Sequence, residues 1–303
     1  MNSPRYGLVV LTMVCLVWLM ACAHSKEPTQ IGFDSARVQA TDQIGLEFAE
    51  GVRLPEDWSN KQKVFTLQNF KVGTGPNRIL IVGVQFELQG KASVDNTTVS
   101  SVTCGGHELS LIPGSEIQFS WIWKGTQITL KVALYYLIHP PSGSRDITVT
   151  YAGPVPSGNV GAISLYNVKQ MAPIVLAINH QSKRKKEIIT KVTTKNDGAW
   201  VVDMVACNHK SDLEPQTGKP KTNGSGQNNW FLNWWKSLKE SIAPPHKSEG
   251  HILRFSAQEF LGGKSSLVCG TLPVPTAGEV TLHWAMTKHN RLALIALEVN
   301  PYR

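Results

Sequence analysis

The chain lacks the compact motifs that announce most site chemistry. Its five cysteines show no CxxC spacing, which removes the usual frame for a structural zinc ion. Its nine histidines include no HExxH or HxH pattern, so a zinc-hydrolase helix is not encoded. No GxSxG elbow occurs, and Gly224-Ser225-Gly226 falls in a polar stretch rather than at a strand–helix turn. Calcium loops of the DxDxDG kind are missing. Cys207 and His209 are alternate residues, which on a strand point the same way without having to touch, and they read as structural. Long helical periodicity is absent from residues 63–206, which argues against a parallel βα fold with its helix-length crossovers. The sequence therefore offers no catalytic residue, no metal ligand set and no cofactor motif.

The N-terminus is more informative. Arg5 is the sole charge before an apolar core running from Leu8 to Ala21, the length of a signal-peptide core and short for a membrane span. It ends in Leu19-Met20-Ala21-Cys22, which resembles the lipobox of bacterial lipoproteins. That resemblance implies export, cleavage before Cys22, and a diacylglyceryl chain on the Cys22 thiol. Ala23 follows the cysteine, where an Asp would retain a lipoprotein at the inner membrane, so an organism with two membranes would place the chain on the outer one. Residues 1–21 are then the signal peptide and 22–60 a tether and N-terminal extension, the polar run His24–Gln30 holding the fold off the lipid.

The formal charge is +8, and losing Arg5 with the signal leaves about +7 (8 − 1). A basic exported protein meets anionic envelope polymers, glycans, lipid headgroups or another envelope protein. Nucleic acid is disfavoured, because the one dense basic run, Lys183-Arg184-Lys185-Lys186, has no interleaved aromatics and reads as a solvated hairpin tip. With Cys15 removed and Cys22 lipidated, Cys104, Cys207 and Cys269 remain. An oxidising compartment permits one bridge. The expectation is Cys207–Cys269, both on strands of the C-terminal half, with Cys104 left as a thiol.

Residues 61–303 read as one antiparallel all-β sandwich, jelly-roll-like, with a short helical insertion at 208–250. Short runs rich in β-branched and aromatic residues alternate with turn signals such as Gly73-Thr74-Gly75-Pro76, Gly105-Gly106 and Asn196-Asp197-Gly198. Strands are predicted at 63–72, 78–87, 99–104, 108–112, 116–123, 127–138, 145–151, 158–166, 174–179, 187–194 and 199–207, then at 251–257, 265–272, 279–285 and 291–299. The continuous run Ile79-Leu80-Ile81-Val82 predicts a central strand covered on both faces at one end. Asp146–Tyr151 alternates, with Ile147, Val149 and Tyr151 on one face. The segments Asn77–Val84, Val99–Gly106, Leu134–Leu137 with Pro140-Pro141-Ser142-Gly143, Ala199–Asp203 and Trp284 with Leu294–Glu298 together resemble a β-sandwich module of secreted and surface-attached bacterial proteins. The likeness spans most of residues 60–300 and implies a fold, not an activity.

Several residues stand out as site candidates. Glu87, Asp95, Glu108 and Glu116 could meet in a sandwich groove, the arrangement a sugar-cleaving enzyme would need. Asp203 interrupts an apolar strand, where backbone hydrogen bonds or solvent would satisfy it. Trp284 reads as core and His283, facing the other way, as exposed or hydrogen-bonded. His246 and His251 flank the insertion. Within it, Trp230, Trp234 and Leu238 fall on one helical face beside Phe231 and Trp235. Trp230, Phe231, Trp234, Trp235, Lys236 and Lys239 form a candidate binding surface for membrane, glycan or protein. The sequence thus points to a non-catalytic envelope lipoprotein with a binding or structural role. The alternative is a carbohydrate-binding or carbohydrate-cleaving sandwich.

Overall fold

The structure, a computed structural model, describes residues 43–53, 61–208, 213–215, 250–257 and 265–303. Cys22, His246 and the candidate surface Trp230, Phe231, Trp234, Trp235, Lys236 and Lys239 lie outside the described residues. What is described is almost wholly antiparallel β-structure, in three sheets. With strands numbered in chain order, the middle sheet runs β1 (Gly45–Arg53), β9 (Ser157–Tyr166), β3 (Ile79–Gln89), β7 (Thr126–Ile138), β6 (Ser110–Trp123). A narrow sheet runs β2 (Gln62–Val72), β8 (Gly143–Val155), β4 (Val99–Cys104), β5 (His107–Glu108). The third runs β10 (Ile174–Thr193), β15 (Glu279–Val299), β11 (Ala199–Cys207), β14 (Ser266–Val274), β13 (Ile252–Ala257), with β12 (Leu213–Pro215) added beside β15. Among the described residues the one helix is α1 (Lys91–Asn96); the helix expected within 208–250 lies outside them.

The middle sheet is buried on both faces at β9 and β3, which is why those strands lack alternation. Every residue of β3 except Gln89 is buried. Even-numbered Leu80, Val82, Val84 and Phe86 pack against Phe70, Val102, Ile147 and Tyr151 of the narrow sheet, with the Phe86 and Tyr151 rings edge-on at 5.1 Å. Odd-numbered Ile79 and Ile81 join Met204, Leu267, Ile295 and Leu297 of the third sheet. Register partners Gly83 and Gly161 leave a hollow on that second face. A side chain there would overlap Met204 and the Phe255 ring, which fill it. Each large apolar side chain so buried stabilises the fold by about 1.5–3 kcal/mol.

The third sheet folds over itself. β10 and β15 pair along nearly their whole lengths, but the register slips on both sides of Lys185. Beyond that bend, Ile188, Val192, Leu282 and Trp284 pack on Val201, Val205, Leu294 and Ala296 of the same sheet. Two long strands therefore replace the four short ones expected at 174–179, 187–194, 279–285 and 291–299. The bend residues are polar and read locally as turns. The segments 108–112 and 116–123 likewise join into β6 after the short β5, a bulge between Leu111 and Glu116 absorbing Pro113-Gly114. The sandwich also begins earlier than residue 61. β1 pairs with β9 from Gly45 to Arg53 at the edge of the middle sheet, although its two glycines, two glutamates and arginine hide the strand pattern.

A groove beside the narrow sheet and a buried carboxylate network

The groove follows from unequal sheet widths. The narrow sheet ends at β4 and the two-residue β5, while the middle sheet continues through β7 to β6. Past β4, one face of β6 and β7 is uncovered. Ile117, Phe119 and Trp121 point to the other face, where they join the core shared with the third sheet. Their neighbours Glu116 and Gln118 therefore point into the groove. The same alternation on β7 sends Lys131 and Tyr135 there, because Leu130, Val132 and Leu134 belong to that core.

Two adjoining hollows make up the groove. One, of about 310 Å³, is lined by Thr98, Val99, Glu116, Gln118, Lys131 and Tyr135 among others. The other, of about 550 Å³, is lined by Val99, Ser100, Ser101, Glu108, Ser110, Leu111, Glu116 and Tyr135 among others. Val99, Glu116 and Tyr135 border both, so Glu116 and Tyr135 sit at the centre of one continuous trough. Burial, reinforced by the negative charge of Glu116, pushes the Tyr135 phenol up to about 12, so at neutral pH it is an uncharged donor. The Lys131 ammonium donates to the Val94 and Thr97 carbonyls, each at 2.9 Å, tying down the end of α1. Burial lowers its pKa while Asp95 and Glu116 act to raise it. An ammonium has three N–H groups, so one remains for solvent or a ligand.

Of the four candidate carboxylates, Glu108 and Glu116 share the groove, and Asp95 is near enough to act on Lys131 at its wall. Glu87 does not join them. It shares the parity of Ile79 and Ile81 on β3, so it faces the third sheet, where its charge acts on Arg291. Lys131 and Tyr135 are functional candidates that the sequence pattern does not mark. The available signal was a lysine alternating with Val132 and Leu134 in an otherwise apolar strand.

The second cluster is internal. Asp203 is fully buried, yet it bonds to side chains rather than to backbone or solvent. Its Oδ1 lies 2.8 Å from His251 Nε2, and its Oδ2 accepts the Trp284 Nε1–H at 2.6 Å. The His251 and Trp284 rings meet edge-on at 4.9 Å. Gly270 permits this approach, since a Cβ there would overlap the His251 and Asp203 side chains. The network bonds the residue just ahead of β13 to β11 and the folded-back end of β15. Trp284 is core as expected, and His283 reaches Glu187 at 3.0 Å. A further buried carboxylate, Glu298, accepts the Lys195 and Asn196 backbone N–H groups and clamps the turn between β10 and β11.

The expected Cys207–Cys269 bridge is not formed. Cys104, Cys207 and Cys269 are all buried and outside any disulfide. Cys207 pairs in register with Ser266, and Cys269 with Met204, so the two lie three residues apart along adjacent strands. They also face opposite sides of the sheet, Cys269 in the core shared with the middle sheet and Cys207 in the folded-over one. No rotamer change brings such thiols together. Among the described residues no group of three or more His, Cys, Asp or Glu could hold a metal ion, and no helix is long and apolar enough to cross a membrane. Comparison with family models, with curated proteins and with solved structures returns no match.

Proposed function

We propose that the protein is an exported, lipid-anchored binding protein of the bacterial cell envelope whose groove takes a carbohydrate without turning it over. The lipobox-like Leu19-Met20-Ala21-Cys22 supports the anchor and the envelope location. The likeness to modules of secreted and surface-attached proteins agrees with it. The observation that carries the ligand reading is the placement of Glu116 and Tyr135 on both hollows, flanked by Glu108, Lys131 and the Ser100–Ser101 hydroxyls. Sugar hydroxyls need convergent donors and acceptors, and an aromatic ring offers a face for the C–H side of a pyranose. Two carboxylates lining the groove against one partly engaged ammonium favour neutral or amine-bearing sugars over uronates.

An array of neutral, amino and acidic oligosaccharides tests this reading. Retention of neutral or amino sugars with no reducing ends released is the expected result. Retention of uronates alone would contradict the groove's charge. Reducing-end release that disappears in Glu116→Gln would replace the binding reading with a hydrolase.

A further inference from the structure

The β6–β7 hairpin closes on Lys124 and Gly125, both at positive φ (48° and 77°), as two-residue hairpin turns require. This tight turn holds Ile122 and Trp123 outward, 67% and 48% exposed, and Lys124 Nζ lies 4.9 Å from the Trp123 ring centre. A single exposed apolar residue is ordinary; an adjacent pair on a rigid tip beside a cation is less so. The tip also has a basic neighbour. The Phe119 ring stacks on His180 at 5.5 Å. Two residues further along each strand, Arg291 bridges them: its guanidinium lies 4.9 Å from the Trp121 ring centre, and its Nε donates to the Ser182 carbonyl at 2.9 Å. β6 and β10 thus advance in step, so the hairpin tip and the bend of the third sheet lie at the same end. At that bend Lys183, Arg184, Lys185 and Lys186 are all exposed, as is Lys288 across it. Glu187, next along β10, is engaged by His283.

We infer that this end is a docking surface for an anionic lipid bilayer. Ile122 and Trp123 enter the headgroup region, and the Lys183–Lys186 run with Lys124 and Lys288 meets lipid phosphates. Charge complementarity selects the anionic surface. The apolar tip between the cations selects a bilayer over a soluble polyanion, which offers nothing for Ile122 to enter. Placement at the envelope comes from the proposed function, but the surface itself rests on different residues from both the anchor and the groove.

The test uses the unlipidated chain from Ala23 to Arg303, which keeps every described residue and lacks the apolar leader. Cosedimentation is measured with vesicles of phosphatidylcholine containing about a third phosphatidylglycerol, and with phosphatidylcholine alone. Binding to the anionic vesicles is expected, at least about tenfold weaker on the neutral ones and falling with salt. Lys183→Gln/Lys185→Gln should weaken it about 25-fold, roughly fivefold for each lost charge. Ile122→Ser/Trp123→Ser should weaken it too, and remove part of the tryptophan quenching by brominated lipid. Lys288→Gln supplies an independent reading should either double variant melt abnormally. Glu116→Gln should leave vesicle binding unchanged, which separates failure of the groove reading from failure of this one. Equal binding to both vesicle types would overturn the inference, as would indifference to the lysine changes. A charge effect without any effect of the tip variant would also overturn it, pointing instead to a soluble polyanion.

Discussion

Truncating Asp203 should be among the most damaging single changes in the described fold, because its carboxylate serves two donors that have no solvent to fall back on. Asp203→Ala removes the acceptor of His251 Nε2 at 2.8 Å and of Trp284 Nε1 at 2.6 Å. Each buried group so stranded costs about 1–3 kcal/mol, and the side chain's volume adds a cavity cost. A total of about 3–6 kcal/mol follows, comparable to breaking a buried ion pair by removing one partner. For a domain of this size that is a fall of roughly 6–24 °C in Tm. The diagnostic is non-additivity. Asp203→Ala/His251→Ala removes both members of one hydrogen bond together, so its loss should be smaller than the sum of the Asp203→Ala and His251→Ala losses by about 0.5–3 kcal/mol. Urea melts followed by tryptophan fluorescence supply all four corners of the cycle. An Asp203→Ala cost below about 1 kcal/mol, or strict additivity, would refute the claim that these three side chains act as a unit.

Further expectations concern pH, the anchor and the insertion. Burial pushes the Cys104 thiol up to about 11, against a partial lowering by Arg145, and raises Cys269 and Tyr151 as well. A folded pKa above the unfolded one means stability that is complete below the unfolded pKa and lost as pH rises through the folded one. Cys104 should therefore contribute to a loss of stability as pH rises from about 9 to about 11, and a Cys104→Ala melt series should show a shallower alkaline decline. Radiolabelled palmitate should enter the wild type but not Cys22→Ser; equal labelling, or a mature N-terminus elsewhere, would remove the anchor. Trp234→Ala/Trp235→Ala should weaken vesicle, glycan or partner binding with Tm nearly unchanged. A loss of about 3–5 kcal/mol per ring would instead make these tryptophans core.

The parts of the fold legible in sequence are those where local pattern and tertiary role coincide. β4 and β11 fall where the runs Val99–Cys104 and Ala199–Cys207 place them, because turn residues punctuate both ends. The unalternating Ile79–Val82 gives away a strand covered on two faces. Where a strand bends, the same logic misleads. The polar Lys183–Lys186 run is continuous with β10, since a bend needs bulges and exposure but no chain reversal. β1 is hidden by its composition, as an edge strand with one half-solvated side can carry glutamates and glycines. The site is less legible than the fold. Glu108 and Glu116 come together only because the narrow sheet stops at β5, and sheet width is a property of the assembled sandwich. Asp203 is visible as an oddity within an apolar strand. Its partners are not, because His251 and Trp284 reach it from 48 and 81 residues away.

The most direct test of the groove as a ligand site is calorimetric titration of the chain from Ala23 to Arg303 with chitotetraose and with its deacetylated form. Binding of at least one is expected. Glu116→Gln or Tyr135→Phe should weaken it about 10- to 100-fold, the range for losing a hydrogen bond to a charged or buried group. Glu87→Gln, which alters a carboxylate on the opposite face of the same sheet, should leave it unchanged. No heat with either sugar, or affinities unmoved by Glu116→Gln and Tyr135→Phe, would contradict the account.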